Sequence, residues 1–171
     1  MPLIKNGAFV EDSYVTVADD ETMPANGSIV SLARFRKDRE SLLSRNAPLG
    51  VRLKSDESPE PLGEDVHRLS VVVLEFPKFR DGRGFSWARM LRTRLGYEGE
   101  IRAAGNYLYD QIAFMHRVGI DAFEVSGKIT PEMVRRALGE IGAVYQPSAD
   151  GRNTIRELRE DNYLPSKGRT L

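Results

Sequence analysis

The 171-residue chain contains no cysteine. That excludes disulfides, thiolate nucleophiles, cysteine-ligated zinc and cysteine-held iron–sulfur clusters, and it fits a reducing compartment. Histidine is nearly as scarce. His67 and His116 are the only two, and they show neither H-x-H nor H-E-x-x-H spacing, so no metal site is expected. There is no apolar run of membrane-spanning length, and Met1–Asn6 lacks the apolar core of a secretory leader, so a cytoplasmic chain with no membrane contact is expected. A charge of one sign is also missing: 25 Lys+Arg face 25 Asp+Glu. Nothing in that balance draws the chain toward nucleic acid or anionic lipid. Nucleotide signatures fail as well. After Gly82 and Gly84 the third glycine of G-x-G-x-x-G is replaced by Trp87, and no P-loop occurs. Ser86 lacks the G-x-S-x-G elbow and reads as a helix cap. No cofactor is assigned.

What the chain does contain is an ordered alternation. Leu3-Ile4-Lys5 and Ala8-Phe9-Val10 flank Asn6-Gly7, a hairpin signal because both turn residues accept positive φ. Tyr14–Val17 adds a strand, and 18–28 is a polar loop. Strands are then expected at 29–32, 49–53, 71–76, 100–104 and 121–125, with a last one at 143–146. Helices are expected at 35–44, around Trp87–Leu95, at 107–118 and from Pro131 to about Ile141, the last capped by Thr130. The β-branched run Val71–Phe76 suggests a strand covered on both faces. Repeated βα units imply an α/β fold with a mostly parallel sheet. It would close as a partial TIM-like barrel or stay an open three-layer sheet, since eight full units need about 250 residues. A single domain is expected over 1–147, including the N-terminal hairpin region 1–17. The stretch 148–171 has few large apolar side chains and reads as a mobile or partner-bound tail.

Three groups of residues carry chemistry. The first is the strand-to-helix connection Lys78–Ser86. Lys78, Arg80 and Arg83 face one acid, Asp81, while Gly82 and Gly84 would let backbone amides approach a sulfate, phosphate or carboxylate. The plain alternative is a solvated turn whose glycines serve backbone shape. The second is charge inside apolar strands: Glu75, Arg102 and Glu124. If the three strands are neighbours, Arg102 lies between two acids, as an ion-pair network or as the orienting part of a catalytic site. The third is Asn106 and Asp110, four apart and so on one helix face, with Asn106 as a cap and Asp110 at the positive helix end, or with Asp110 working beside Arg80 or Arg83.

The segment from Val71 to Val125 resembles a bacterial family of unknown function. Its most specific part is F-P-K-F-R-D-G-R-G-[FY]-S at Phe76–Ser86, supported by R-A-x-G-[ND]-x-L-x-D-Q at Arg102–Gln111 and G-[FI]-D-A-F-E at Gly119–Glu124. Members commonly carry Asp where Asn106 stands and Arg where Tyr109 stands, so an acid at 106 is not required here. Members are typically encoded beside sulfite reductase genes and described as oxidoreductases of sulfite reduction. The resemblance therefore implies a role in assimilatory sulfur metabolism. One form of that role is an accessory protein that binds sulfite reductase, its electron donor or a sulfur oxyanion. A second reading is an enzyme acting on a small anionic substrate through Glu75, Arg102, Asp110 and Glu124. A third is a homo-oligomeric scaffold without a ligand.

Overall fold

The computed structural model describes residues 1–140 and 142–163. The hairpin forms as the Asn-Gly signal predicts. Strands β1 (Leu3–Lys5) and β2 (Ala8–Val10) are joined through Asn6 at φ 52° and Gly7 at φ 70°. Strand β3 (Tyr14–Thr16) follows after three residues. Then come β4 (Gly27–Ser31), α1 (Leu32–Lys37), α2 (Arg39–Leu43), β5 (Leu49–Leu53), a 3-10 helix at 60–68, β6 (Val71–Phe76) and α3 (Arg83–Thr93). The chain continues with β7 (Glu100–Gly105), a 3-10 turn at 109–111, α4 (Ile112–Arg117), β8 (Ala122–Glu124), α5 (Pro131–Gly139) and α6 (Ile155–Tyr163).

The eight strands form one sheet in the order β2-β1-β8-β7-β6-β5-β4-β3. From β3 to β8 every neighbour is parallel and consecutive in sequence, while β1 runs antiparallel to both β8 and β2. A sheet wound in one direction with right-handed crossovers sends all its helices to the same face. The packing agrees. One large core joins α1 to α5, through Phe35, Leu43, Leu91, Met115 and Val134, to Val51, Leu53, Val72, Leu74, Ala103 and Phe123 of the strands. The opposite face holds a separate small cluster, Ile29, Val71, Val73 and Ala104, against Tyr14. The fold is thus two-layered, a curled half-barrel with helices outside, and not an open three-layer sheet.

The chain itself forces the curl. Strands β2 and β3 are the two edges of the sheet, seven spacings apart, or about 33 Å if it were flat. Only Glu11, Asp12 and Ser13 join them, and four Cα steps span at most about 15 Å. The edges must bend toward each other, and the inward side chains then meet across a concave face. Tyr14 of edge strand β3 lies 5.7 Å from the guanidinium of Arg102 on β7, four strands away.

Some elements differ from expectation. The 35–44 helix is two short helices broken at Asp38. Residues 107–118 begin with a 3-10 turn capped at Leu108, so Asn106 precedes the helix and neither caps it nor shares a face with Asp110. Ser86 lies inside α3, whose N-cap is Gly82. No strand forms at 143–146; Val144 makes one isolated bridge to Thr154. The expected end of α5 at Ile141 lies outside the described residues, as does the tail from 164. Residues 144–157 are held by Arg117, which pairs with Asp150 at 3.1 Å and donates to the Gln146 carbonyl, and Thr154 and Glu157 cap each other at the start of α6.

Candidate functional site

Strand pairing stacks the inward residues in layers. Ile29, Gly50, Val71 and Glu100 share the lowest level; Ser31, Arg52, Val73, Arg102 and Ala122 the middle one. With the period of two along each strand, Glu75 and Glu124 stand one level higher, at the carboxyl end of the sheet. Barrel interiors are filled by such layers, but here five of the fillers, Glu100, Arg52, Arg102, Glu75 and Glu124, are ions. Arg102 is 1% exposed. Its guanidinium meets Asp12 at 2.8 Å, Glu100 at 3.0 Å and Glu124 at 3.5 Å. Glu100 also takes Lys5 at 2.7 Å. Arg52 bonds both oxygens of Glu124, at 3.1 and 3.3 Å, and reaches Glu75 at 3.5 Å. Burial opposes the charge on Arg102, but hydrogen bonds and attraction from Asp12 and Glu100 outweigh it and hold the guanidinium above its ordinary range.

The expected pairing of Arg102 with Glu75 or Glu124 is met through Glu124. Glu75 lies opposite Ala104, not Arg102, and its partner is Arg52. Sequence reasoning missed Lys5, Asp12 and Glu100 of this network, and it also missed Arg52. Arg52 carries the same signal as Arg102, a charge within an apolar strand, Leu49–Leu53. Asp110 sits on the 3-10 turn at 109–111, apart from the network. Above the ions, at the carboxyl ends of β3 to β6, lies an open cavity of about 310 Å³ reached by Asp19, Ser31, Arg52, Lys54, Glu57 and Glu75.

The Lys78–Ser86 connection leaves the end of β6 on the outer side. Glu75 points inward, and Phe76 packs outward against Phe85 and Tyr107 at centroid distances of 5.4 and 6.2 Å. Gly84 is buried because a Cβ there would stand 2.5 Å from the Phe76 ring; it serves close packing. Asp81 accepts two hydrogen bonds from the Arg83 guanidinium, at 2.7 and 2.9 Å, and one from the Arg83 amide. These bonds, with help from Ser55, hold its carboxyl well below the usual carboxylate range. The position an incoming oxyanion would take at the start of α3 is therefore filled by the loop's own carboxylate.

The loop is clamped from both sides. Ser55 accepts from Arg83 at 3.0 Å through its hydroxyl and from the Trp87 indole at 3.0 Å through its carbonyl. Asn106 donates to the Pro77 carbonyl at 3.1 Å and Gln111 to the Phe79 carbonyl at 2.9 Å. What remains outside is Lys78, Phe79 and Arg80. The Phe79 side chain is 47% exposed, with Arg80 stacked over its ring at 5.3 Å. No acid pairs with Lys78 or Arg80 among the described residues. Leu108 and Phe114 are also about half exposed, and Phe114 packs on Phe85 at 5.2 Å.

Among the described residues no three of His, Asp and Glu converge to hold a metal ion, and no helix is long and apolar enough to cross a membrane. Residues 50–156, from β5 to the start of α6, match a family described as "Bacterial protein of unknown function" (DUF934). No curated protein and no solved structure matches the chain.

Proposed function

The chain belongs to this DUF934 family of bacterial proteins, and from that premise we propose that it is an accessory protein of assimilatory sulfite reduction that docks an acidic protein partner. The observation that carries the reading is Phe79, a half-exposed aromatic set between two unpaired cations on a clamped loop. Aromatic side chains with arginine beside them are the usual anchors of protein interfaces. A rigid loop loses little entropy on binding, and Lys78 and Arg80 favour a partner with carboxylates around an apolar recess. With Asp81 already answering Arg83, a protein surface suits the loop better than a free oxyanion. The resemblance of Phe76–Ser86 to proteins encoded beside sulfite reductase genes supports the pathway and points to the reductase or its electron donor, in the cytoplasm.

The test is direct binding of the purified chain to sulfite reductase and, separately, to its electron donor. Wild type should bind one of them, more weakly as salt rises, because exposed charges are screened beyond about 8 Å at physiological ionic strength. Lys78→Glu with Arg80→Glu should abolish binding and impair growth on sulfate while leaving unfolding unchanged. Normal sulfate growth of a deletion strain would refute the role in sulfite reduction; a double variant that binds like wild type would refute the loop.

A further inference from the structure

We propose that the cavity at the carboxyl end of the half-barrel is a binding site for a small zwitterion, a free α-amino acid. It lies on the inner side of β6, whereas the docking loop lies outside, and it does not rest on the docking reading. Its position is the one where parallel α/β sheets place ligands, beyond the carboxyl ends of the strands. At about 310 Å³ it is at the small end of ligand sites.

The walls are bipolar. Strand β5 and the residue after it bring two cations, Arg52 and Lys54. The flanking elements bring carboxylates: Glu75 from β6, Asp19 from the loop before β4, and Glu57. Several of these groups are already fixed in place. The Ser31 hydroxyl caps α1 and donates to Asp19 at 2.6 Å, and Glu57 accepts the Lys54 amide at 2.8 Å. Others have capacity to spare. The Glu75–Arg52 contact is long at 3.5 Å, Glu75 is 37% exposed, and the Arg52 Nε is buried with no hydrogen-bond partner.

Glu124 bonds Arg52 through one guanidinium nitrogen, and the Arg52 side chain, 22% exposed, lines the cavity. A lone oxyanion placed against Arg52 and Lys54 would have Asp19, Glu57 and Glu75 around it, and repulsion from them would offset the attraction. A lone amine would meet the two cations. A molecule carrying both charges satisfies both walls: its carboxylate lies on Arg52 and Lys54, and its ammonium on Glu75 and Asp19.

The experiment is calorimetric titration of the full chain with each free L-amino acid, and with acetate, methylammonium and sulfite as half-ligands. At least one amino acid should bind, and the half-ligands should bind at least tenfold more weakly. Glu75→Gln and Lys54→Met should each weaken that binding at least tenfold while their unfolding temperatures stay near wild type. Lys54 is exposed, so its variant carries the test if Glu75→Gln fails to fold. The Lys78→Glu/Arg80→Glu chain should bind the amino acid as wild type does, which separates this site from the docking loop. The proposal is overturned if no amino acid binds at millimolar concentration, if sulfite binds as tightly as any of them, or if Glu75→Gln and Lys54→Met both bind unchanged.

Discussion

Replacing Arg102 tests whether the concave ion network holds the half-barrel together. The guanidinium is 1% exposed and answers three carboxylates. Breaking a buried pair costs about 3–5 kcal/mol, because the partner is left charged in a poor solvent. Two of the three partners keep a second cation, Glu100 through Lys5 and Glu124 through Arg52. That places Arg102→Met, which refills most of the volume, at the lower end, about 3 kcal/mol. Arg102→Ala adds an unfilled space beside Val73 and Tyr14, and large-to-small changes in cores cost about 2–5 kcal/mol. We expect a total of about 5 kcal/mol for Ala.

Urea unfolding followed by circular dichroism and by the fluorescence of Trp87, the only tryptophan, measures both. With a slope of about 2 kcal/mol per molar, the midpoint should fall by about 1.5 M for Met and 2.5 M for Ala. A deficit under about 1 kcal/mol for Arg102→Met at pH 7 would refute the reasoning.

Gly84→Ala should destabilise by about 1–3 kcal/mol, since the added carbon meets the buried Phe76 ring, and this overpacking outweighs the gain of up to about 1 kcal/mol from replacing glycine in a helix; thermal unfolding checks it. Tyr107→Phe should cost about 1–2 kcal/mol in urea unfolding, because the buried phenol donates to the Glu124 carbonyl at 2.7 Å. Burial also pushes that phenol above its ordinary pKa, so Tyr107 should stay protonated in a spectrophotometric titration to pH 11. The Asp81 carboxyl titrates below its unfolded value near 3.9, so its pair with Arg83 contributes fully above about pH 5 and is lost as pH falls toward the folded value. Carboxyl NMR should show Asp81 still ionised at pH 3, and Arg83→Ala should return it to the ordinary range.

Much of the fold was legible because each strand is apolar and each helix amphipathic at its own period. Asn6-Gly7, Thr130-Pro131 and the Val71–Phe76 run mark elements by local chemistry alone, and those elements stand where expected. Short elements were harder to read. Asp38 splits a helix that periodicity alone joins, and the polar stretch around Asn106 and Leu108 delays the next helix by a turn. For the site, a charge within an apolar strand is a sound signal for Arg102 and Glu124, and it applies equally to Arg52. What it does not contain is the partner. Arg102 takes Glu100 from two positions back on its own strand and Asp12 from the edge connection, neither of which lies beside it in neighbouring-strand register.

Those partners depend on curvature, and curvature follows from strand order. Once β2 and β3 are known to be opposite edges, three residues between them are enough to require a curled sheet. The curl sets β5 and β8, three strands apart, within reach of one arginine–glutamate pair. It also lets ions and apolar fillers share the interior. Ile29, Val71, Val73 and Ala104 pack together with Tyr14 against them, while Arg52, Arg102, Glu75, Glu100 and Glu124 pair with one another around them. Toward the carboxyl ends the half-barrel opens, and apolar fillers there would face solvent. Arginine suits that boundary because its long stem packs on apolar neighbours while its guanidinium meets carboxylates. A half-barrel whose mouth carries Arg52, Glu75 and Glu124 therefore stays polar without leaving a buried charge unpaired, and it holds those groups on strands, where their positions vary least.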